Sequence, residues 1–414
     1  MRRLQRLTAD QMMTERRSTV DAATLGKAAA IVEDVRLRGD AAVRDHSERL
    51  GDLAPGDRIV LNRSELQSAL DAIDPDTREL LERVAGRIDR FADDQRACLL
   101  DLDIEVDGGR AGHRWVPVKT AGAYAPGGRY PLPSSVLMTV IPARVAGVDQ
   151  IWVASPRPTN VTIAAAAVAG ADGFLAIGGA QAIAALAFGV FSPPSDVVVG
   201  PGNRWVTAAK KHLFGEIGID GLAGPSEIVV VADAASDPHL VAADLLAQAE
   251  HDPDALPILV TDTPTLLQEV ERIIDEELET LPTGDIASAA LDGGYAIVVE
   301  DMDVAVDLCN HIAPEHLALH VEFPHAMAGR LSAYGSLFVG EASAEVFADY
   351  GAGPNHVLPT DGGARFQSGL SVATFLKAPT WLTLTDPGMI SGDAARLARL
   401  EGLEAHARAA ELRT

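Results

Sequence analysis

From about residue 120 onward, short apolar runs alternate with helical patterns, and that rhythm admits few folds. Residues 151–154, 174–177 and 197–199 read as buried strands. Residues 134–146, 161–169, 180–188 and 203–214 read as the helices between or after them. After Gly224-Pro225-Ser226 the pattern restarts. Strands at 228–231, 258–260, 296–299 and 337–339 interleave with helices near 238–250, 263–279, 302–311 and 324–333. Strands that are apolar on both faces lie inside parallel sheets covered by helices. The expected fold class is α/β: two Rossmann-like units with parallel-rich sheets flanked by helices. A helical N-terminal arm over 1–20 and a helical C-terminal tail over 366–414 complete it. Residues 21–123 and 227–365 are assigned to a first, discontinuous α/β domain, and 124–226 to a second Rossmann-like domain. Within the tail, 392–413 reads as one amphipathic helix with few partners in the same chain, so packing on a second subunit is expected.

Ahead of residue 120 the pattern is mainly helical. A helix over 21–38 ends at Gly39, and Asp40 is a cap for the next. Ser64-Glu65-Leu66-Gln67 fits a capping box. A long amphipathic helix runs over 76–96, and 113–118 alternates like a strand. A chain of 414 residues has room for two or more domains. Its net charge of −25 disfavours nucleic acid and anionic membranes as partners. Only Cys98 and Cys309 are present, with no Cys-x-x-Cys, so neither a thiolate metal site nor a disulfide framework is indicated. Both read as small core residues. The stretch 173–191 is uncharged, but Gly178-Gly179 and Gln181 divide it into strand, turn and helix. No secretory signal is visible, and a cytoplasmic enzyme is expected.

Chemistry gathers in the loops. Gln248 and His251 stand three residues apart, on one helix face, and would supply two donors to a metal wanting four. The remaining donors would come from 348–350 and 401–406. A lone His in the last turn of a helix also serves simply to meet the helix dipole. Gly200-Pro201-Gly202-Asn203, Gly178-Gly179-Ala180-Gln181 and Pro126-Gly127-Gly128 are three glycine turns. The first two join a strand to a helix, where backbone N–H groups can face a phosphate. Tight helix–sheet packing explains any one of them equally well. Asp220 follows Gly200 by about twenty residues, the spacing of a ribose-binding acid. Ala313-Pro314-Glu315-His316 sets a carboxylate beside an imidazole, two proton acceptors if their surroundings tune them and a common surface pair otherwise.

These motifs together resemble the histidinol dehydrogenase family. The matching stretches, in the family's order, begin with 124–128, 133–138 and 178–184. They continue through 200–203, 223–227, 244–252, 313–317, 349–360 and 401–406. The resemblance implies zinc held by Gln248, His251, Asp349 and His406, the last from the partner of a homodimer with shared sites. It implies Glu315 and His316 as the catalytic pair, and Tyr124, Gln181 and Asn203 as NAD contacts. Ser134, Ser226, His356 and Glu401 would surround the substrate, together with His316 and the zinc ligands. The activity implied is the zinc- and NAD-dependent oxidation of L-histidinol to L-histidine through L-histidinaldehyde, completing histidine biosynthesis. His316 would take the alcohol proton and Glu315 would activate water.

The chain departs from the family pattern in three places. Arg129-Tyr130 replaces small residues, Ala348 replaces a glycine, and 155–162 is short. A cation at 129 would suit an anionic alcohol such as a sulfonated diol, so a paralogue with that substrate stays open. A zinc hydrolase and a non-catalytic two-lobed binding protein are the readings from other classes.

Overall fold

The computed structural model describes residues 4–14, 20–127 and 131–413. Two six-stranded sheets organise it. The first runs in the order Gln5–Leu7, Tyr295–Val298, Leu256–Thr261, Glu227–Ala232, His316–His320, Ser336–Val339, with every neighbouring pair parallel. The second runs Gly218–Ile219, Val197–Val199, Thr120–Tyr124, Gln150–Ala154, Gly173–Leu175, Val60–Asn62. It too is parallel apart from its last pair. Every side chain of Glu227–Ala232 and Leu256–Thr261 is buried, as strands covered on both faces require. Strand order reverses between Glu227–Ala232 and His316–His320 in one sheet, and between Thr120–Tyr124 and Val197–Val199 in the other. Such switch points open a crevice at the sheet edge.

The α/β class holds, but the expected grouping of 21–123 with 227–365 does not. Val60–Asn62 closes the edge of the second sheet. Helix Ala22–Arg38 packs on Gly179–Phe188 and Arg204–Leu213, and Arg63–Ala72 and Pro75–Ala97 pack on Asn160–Ala169 and Pro133–Ala146. The cause is apolar complementarity: Val32 and Val43 share a core with Ile183 and Val198, while Leu66 and Ile88 share one with Val136 and Ile141. The arm is not simply helical either. Its Gln5–Leu7 is an edge strand of the first sheet, followed by the short helix Ala9–Thr14. The tail segment 366–414 also departs from expectation. Thr380–Leu384 joins Gly109–His113 and Leu102–Val106 in a small antiparallel sheet, and Leu376–Lys377 pairs with Val116–Pro117. The expected strand over 113–118 is thereby divided between two sheets. The expected single helix over 392–413 is two, Gly388–Leu400 and Glu404–Glu411, broken at Gly402 with φ of 78°.

Local signals explain most helix starts. Asp21, Asp74, Asn203, Asp237 and Asp301 each accept backbone N–H groups of the first turn. A cap of this kind stabilises by about 1 kcal/mol. The capping box sits two residues earlier than expected: Asn62, not Ser64, is the cap, with Glu65 reaching back to it. Asp40 is the first helical residue rather than the cap, because Gly39 both ends one helix and starts the next. Cys309 is buried but Cys98 is exposed, since it falls just past the end of its helix. Among the described residues, no helix is long and apolar enough to cross a membrane.

Candidate active site

Helix Met302–Ile312 ends at Ala313, which takes a left-handed conformation, φ 50°. Pro314 follows, and Glu315 and His316 then lead into strand His316–His320. They lie beside Ser226 and Glu227 at the start of the neighbouring strand, whose Ile228 is in register with His316. The Glu315 carboxylate accepts the Ser226 hydroxyl at 2.7 Å and the Glu227 N–H at 2.9 Å through one oxygen, Oε2. Both residues are buried, Glu315 at 6% exposure and His316 at 3%. Burial pushes Glu315 well above the usual carboxylate range, against the pull of those two donors.

His316 Nδ1 lies 3.1 Å from the Glu227 carbonyl oxygen, which only accepts, so this nitrogen carries the proton. The lone pair then falls on Nε2, a buried atom with no hydrogen-bond partner. Burial lowers the imidazole to about 4, keeping it neutral at physiological pH. The pair is thus a desolvated carboxyl beside a neutral imidazole with one free basic nitrogen.

The candidate metal ligands converge next to it. His251, Glu345 and Asp349 each bring one donor atom within 4.8 Å of the others. His251 Nε2 stands 3.9 Å from Asp349 Oδ2. His316 Nδ1 is 3.3 Å from Glu345 Oε1. Burial, and then the charges of Asp349, Glu315 and Asp244, raise Glu345 well above its ordinary value. Gln248 lies on helix Pro238–Ala249, and His251 follows just beyond that helix's end rather than within its last turn. The Gln248 side chain is completely buried, yet neither its oxygen nor its nitrogen has a partner. A buried primary amide left unpaired costs a few kcal/mol. Nitrogen, amide oxygen and carboxylate donors without cysteine suit zinc that keeps exchangeable positions. The residues present therefore fit a divalent ion. His356 closes one side, with Nδ1 on the Asp349 carbonyl at 3.1 Å and Nε2 on the Ser135 hydroxyl at 3.2 Å. Ser135 belongs to helix Pro133–Ala146, so both lobes meet here.

The other expected residues lie further out. Ser134 is half-buried beside Ser135, whereas Glu401 and His406 are exposed on the tail. Neither of those two belongs to the His251, Glu345 and Asp349 cluster. Arg129 and Tyr130, on which an anionic substrate rests, and Gly128 lie outside the described residues.

The second sheet places Tyr124, Gln181 and Asn203 beyond the carboxyl ends of its strands. The Tyr124 hydroxyl accepts the Gly179 N–H at 3.3 Å, and burial raises the phenol to about 12. Gln181 is wholly buried in the first turn of Gly179–Phe188. Asn203 caps its own helix through Oδ1, on the Trp205 and Val206 N–H groups. The glycine turns are there for packing. A Cβ at Gly200, φ 112°, would overlap the Tyr124 carbonyl oxygen, and one at Gly178 would come within 2.7 Å of the Pro156 ring. Asp220 is committed to the turn rather than left for a ribose: it accepts the Gly200 N–H at 2.6 Å and pairs with buried Lys210.

Two site residues escaped the sequence reading. Glu345 carries a spacing signal, since it stands one turn before Asp349 on the short helix Glu345–Asp349. Asp52 carries none, because it arrives from a loop 126 residues before its partner Gly178.

Residues 14–414 match the family model described as histidinol dehydrogenase. The chain belongs to the histidinol dehydrogenase family. A relative named histidinol dehydrogenase from Parasynechococcus marenigrum is 43% identical over 98% of this chain and 93% of its own length. Another, from Rhodospirillum rubrum, is 46% identical over 91% of this chain and 89% of its own. The crystal structure of histidinol dehydrogenase from Elizabethkingia anophelis superposes with a TM-score of 0.92 at 31% identity, covering 100% of this chain and 98% of that one. The family match begins well before residue 124, where the quoted motifs begin. The chain is an NAD-dependent dehydrogenase, which removes the hydrolase and the binding protein from consideration.

Proposed function

We propose that this enzyme oxidises L-histidinol to L-histidine in two NAD-linked steps, through L-histidinaldehyde, with one zinc ion per subunit. The observation that carries the metal assignment is the unpaired, fully buried amide of Gln248 three residues before His251. Gln248, His251 and Asp349 would hold zinc together with the partner subunit's His406. When bound, zinc supplies a docking point for the substrate's nitrogens and NAD accepts the hydride.

His316 takes the hydroxyl proton through Nε2, while its Nδ1–H stays on the Glu227 carbonyl and fixes the ring. The same base serves the second oxidation, from the hydrated aldehyde. Glu315 draws the proton from the water that hydrates the aldehyde, its carboxylate aligned by Ser226 and the Glu227 N–H. Ser134, Ser226, His356 and the partner subunit's Glu401 line the substrate pocket. Tyr124, Gln181 and Asn203 contact NAD; Asn203 spends only its oxygen on the helix cap, which leaves its NH2 for the ligand.

A homodimer with exchanged tails supplies the missing fourth ligand. It is supported by the apolar side chains left uncovered near the cluster and on the tail: Phe347, Tyr350, Leu397 and Leu400 are 59%, 62%, 59% and 85% exposed. The exchanged tails would shelter the site, and we place the enzyme, as one of amino-acid biosynthesis, in the cytoplasm. The test supplies zinc, NAD and L-histidinol and follows NADH and histidine. Two NADH per histidine is expected. Reduction only with a sulfonated diol would replace the substrate, and activity surviving a monomer-forming truncation of the tail would remove the shared site.

A further inference from the structure

Helix Gly179–Phe188 opens without a side-chain cap of its own, because its first flanking residue is Gly178. The missing acceptor comes from far away in the chain. Asp52 sits in the loop between helix Asp40–Arg49 and strand Val60–Asn62, with its backbone N–H anchored on the Ser47 carbonyl at 2.9 Å. One carboxylate oxygen, Oδ2, accepts both the Gly178 N–H at 3.1 Å and the Gln181 side-chain NH2 at 3.2 Å. A carboxylate accepts and does not donate, so Gln181 must turn its NH2 toward Asp52. Its oxygen, Oε1, is thereby sent the other way. That atom is buried, has no hydrogen-bond partner, and lies beside Gly179, where an added Cβ would stand 2.9 Å from it. Close by, the Tyr124 hydroxyl accepts the Gly179 N–H and keeps its own proton to give. A buried acceptor lacking a donor is costly unless a ligand brings one.

We infer that Asp52 is a positioning residue, which locks the Gln181 amide so that its oxygen receives a hydrogen from the dinucleotide. The inference rests on the reading of Gln181 as an NAD contact. It also sets the chemistry of the contact. An acceptor next to a carboxylate takes a hydroxyl or a carboxamide N–H of the cofactor and rejects a phosphate. The glycine turn before this helix is therefore not a phosphate cradle: Asp52 and Tyr124 already hold its N–H groups.

The experiment measures NAD binding by calorimetry, and steady-state kinetics, on the zinc-loaded enzyme. Asp52→Ala and Gln181→Ala are each expected to weaken NAD about tenfold, the size of one hydrogen bond to a ligand group. In Asp52→Ala the loss appears in KM for NAD, with kcat at saturating NAD within about twofold and zinc content unchanged. Asp52→Asn keeps one oxygen able to accept both bonds, so it should bind NAD within about threefold of the parent. The double variant Asp52→Ala/Gln181→Ala should be no weaker than the weaker single one, as expected for two residues acting through one contact. Normal NAD affinity in Asp52→Ala with a loss in Gln181→Ala overturns the inference and leaves the cofactor reading standing. Normal affinity in Gln181→Ala overturns both. Additive losses, or no rescue by Asp52→Asn, also overturn it, since Asp52 would then act on the fold alone. Should Asp52→Ala not fold, Asp52→Ser withdraws the acceptor by shortening the side chain and is judged by the same outcomes.

Discussion

The first sheet delivers its working side chains at the amino ends of its strands, where Ser226, Glu227, Glu315 and His316 crowd together. The second sheet delivers Tyr124, Gln181 and Asn203 beyond the carboxyl ends, the ordinary place for a ligand in an open α/β sheet. The chemistry differs accordingly. At the first edge the groups are ionisable, buried and shifted, with Glu315 pushed up and His316 pushed down. At the second edge the candidate cofactor contacts are neutral amides and a phenol, and the charges, Asp52 and Asp220, accept the N–H groups of the turns. On the proposed reading, one lobe moves protons and the other recognises a dinucleotide. Hydride transfer would need both at once, and helix Pro133–Ala146 of the second lobe reaches His356 beside the candidate metal ligands.

Replacing the base breaks this division most sharply. His316→Ala should lower kcat by about two to four decades, the range for a general base, while NAD affinity stays at the parent level. Stopped-flow NADH formation and NAD calorimetry measure the two quantities. An equal loss in both would mean that the lobes do not divide the work. On the second lobe the largest effect is on stability. Asp220 and Lys210 have side chains only 4% and 3% exposed, so Asp220→Ala strands a buried ammonium. Its cost is about 3–5 kcal/mol, read in urea unfolding. A loss below about 1 kcal/mol would show that the Gly200 turn holds without its clamp.

Glu345→Gln comes next. The carboxylate is buried beside Asp349 and His316, although the sequence reading passed over it. Removing its charge should weaken zinc retention about tenfold to a hundredfold, as loss of an outer partner does, measured by competition with a chelator. Tighter zinc in this variant would mean that Glu345 opposes the ion rather than supporting it.

Which parts were legible follows from how far each contact reaches. The strands after residue 120 were readable because each is a short unbroken apolar run, as over 228–231 in Glu227–Ala232, where every side chain is buried. The grouping of 21–123 was not, because Val60–Asn62 finds Gly173–Leu175 across more than a hundred residues and nothing local encodes that choice. The same contrast divides the site. Gln248 and His251 announce themselves by spacing, and Glu345 with Asp349 carry the same signal less visibly. Asp52 carries none, since its role exists only once the loop has folded onto Gly178. The capping box slipped by two residues because Ser64 and Asn62 are both competent caps, and the backbone at Asn62, φ −88° and ψ 171°, is extended while Ser64 lies within the helix.

The smallest effect concerns acid. His316 is lowered to about 4 because burial penalises its charged form. Its basic form is complete above that value and is lost only as pH falls through it. A nearby divalent cation repels the imidazolium further, so bound zinc moves the value in the same direction. An ordinary imidazole, at about 6.5, would lose about fivefold of its basic form between pH 6.5 and 5.5. The rate of the first hydride transfer should instead fall by less than about twofold over that interval. Zinc must be held saturating, because metal affinity at a site of imidazole and carboxylate donors falls as acid is added. Single-turnover NADH formation between pH 7 and 5.5 measures this limb. A fall of about fivefold between pH 6.5 and 5.5 at constant zinc content would place the proton on a solvated base, and the desolvated edge of the first sheet would lose its part in the reaction.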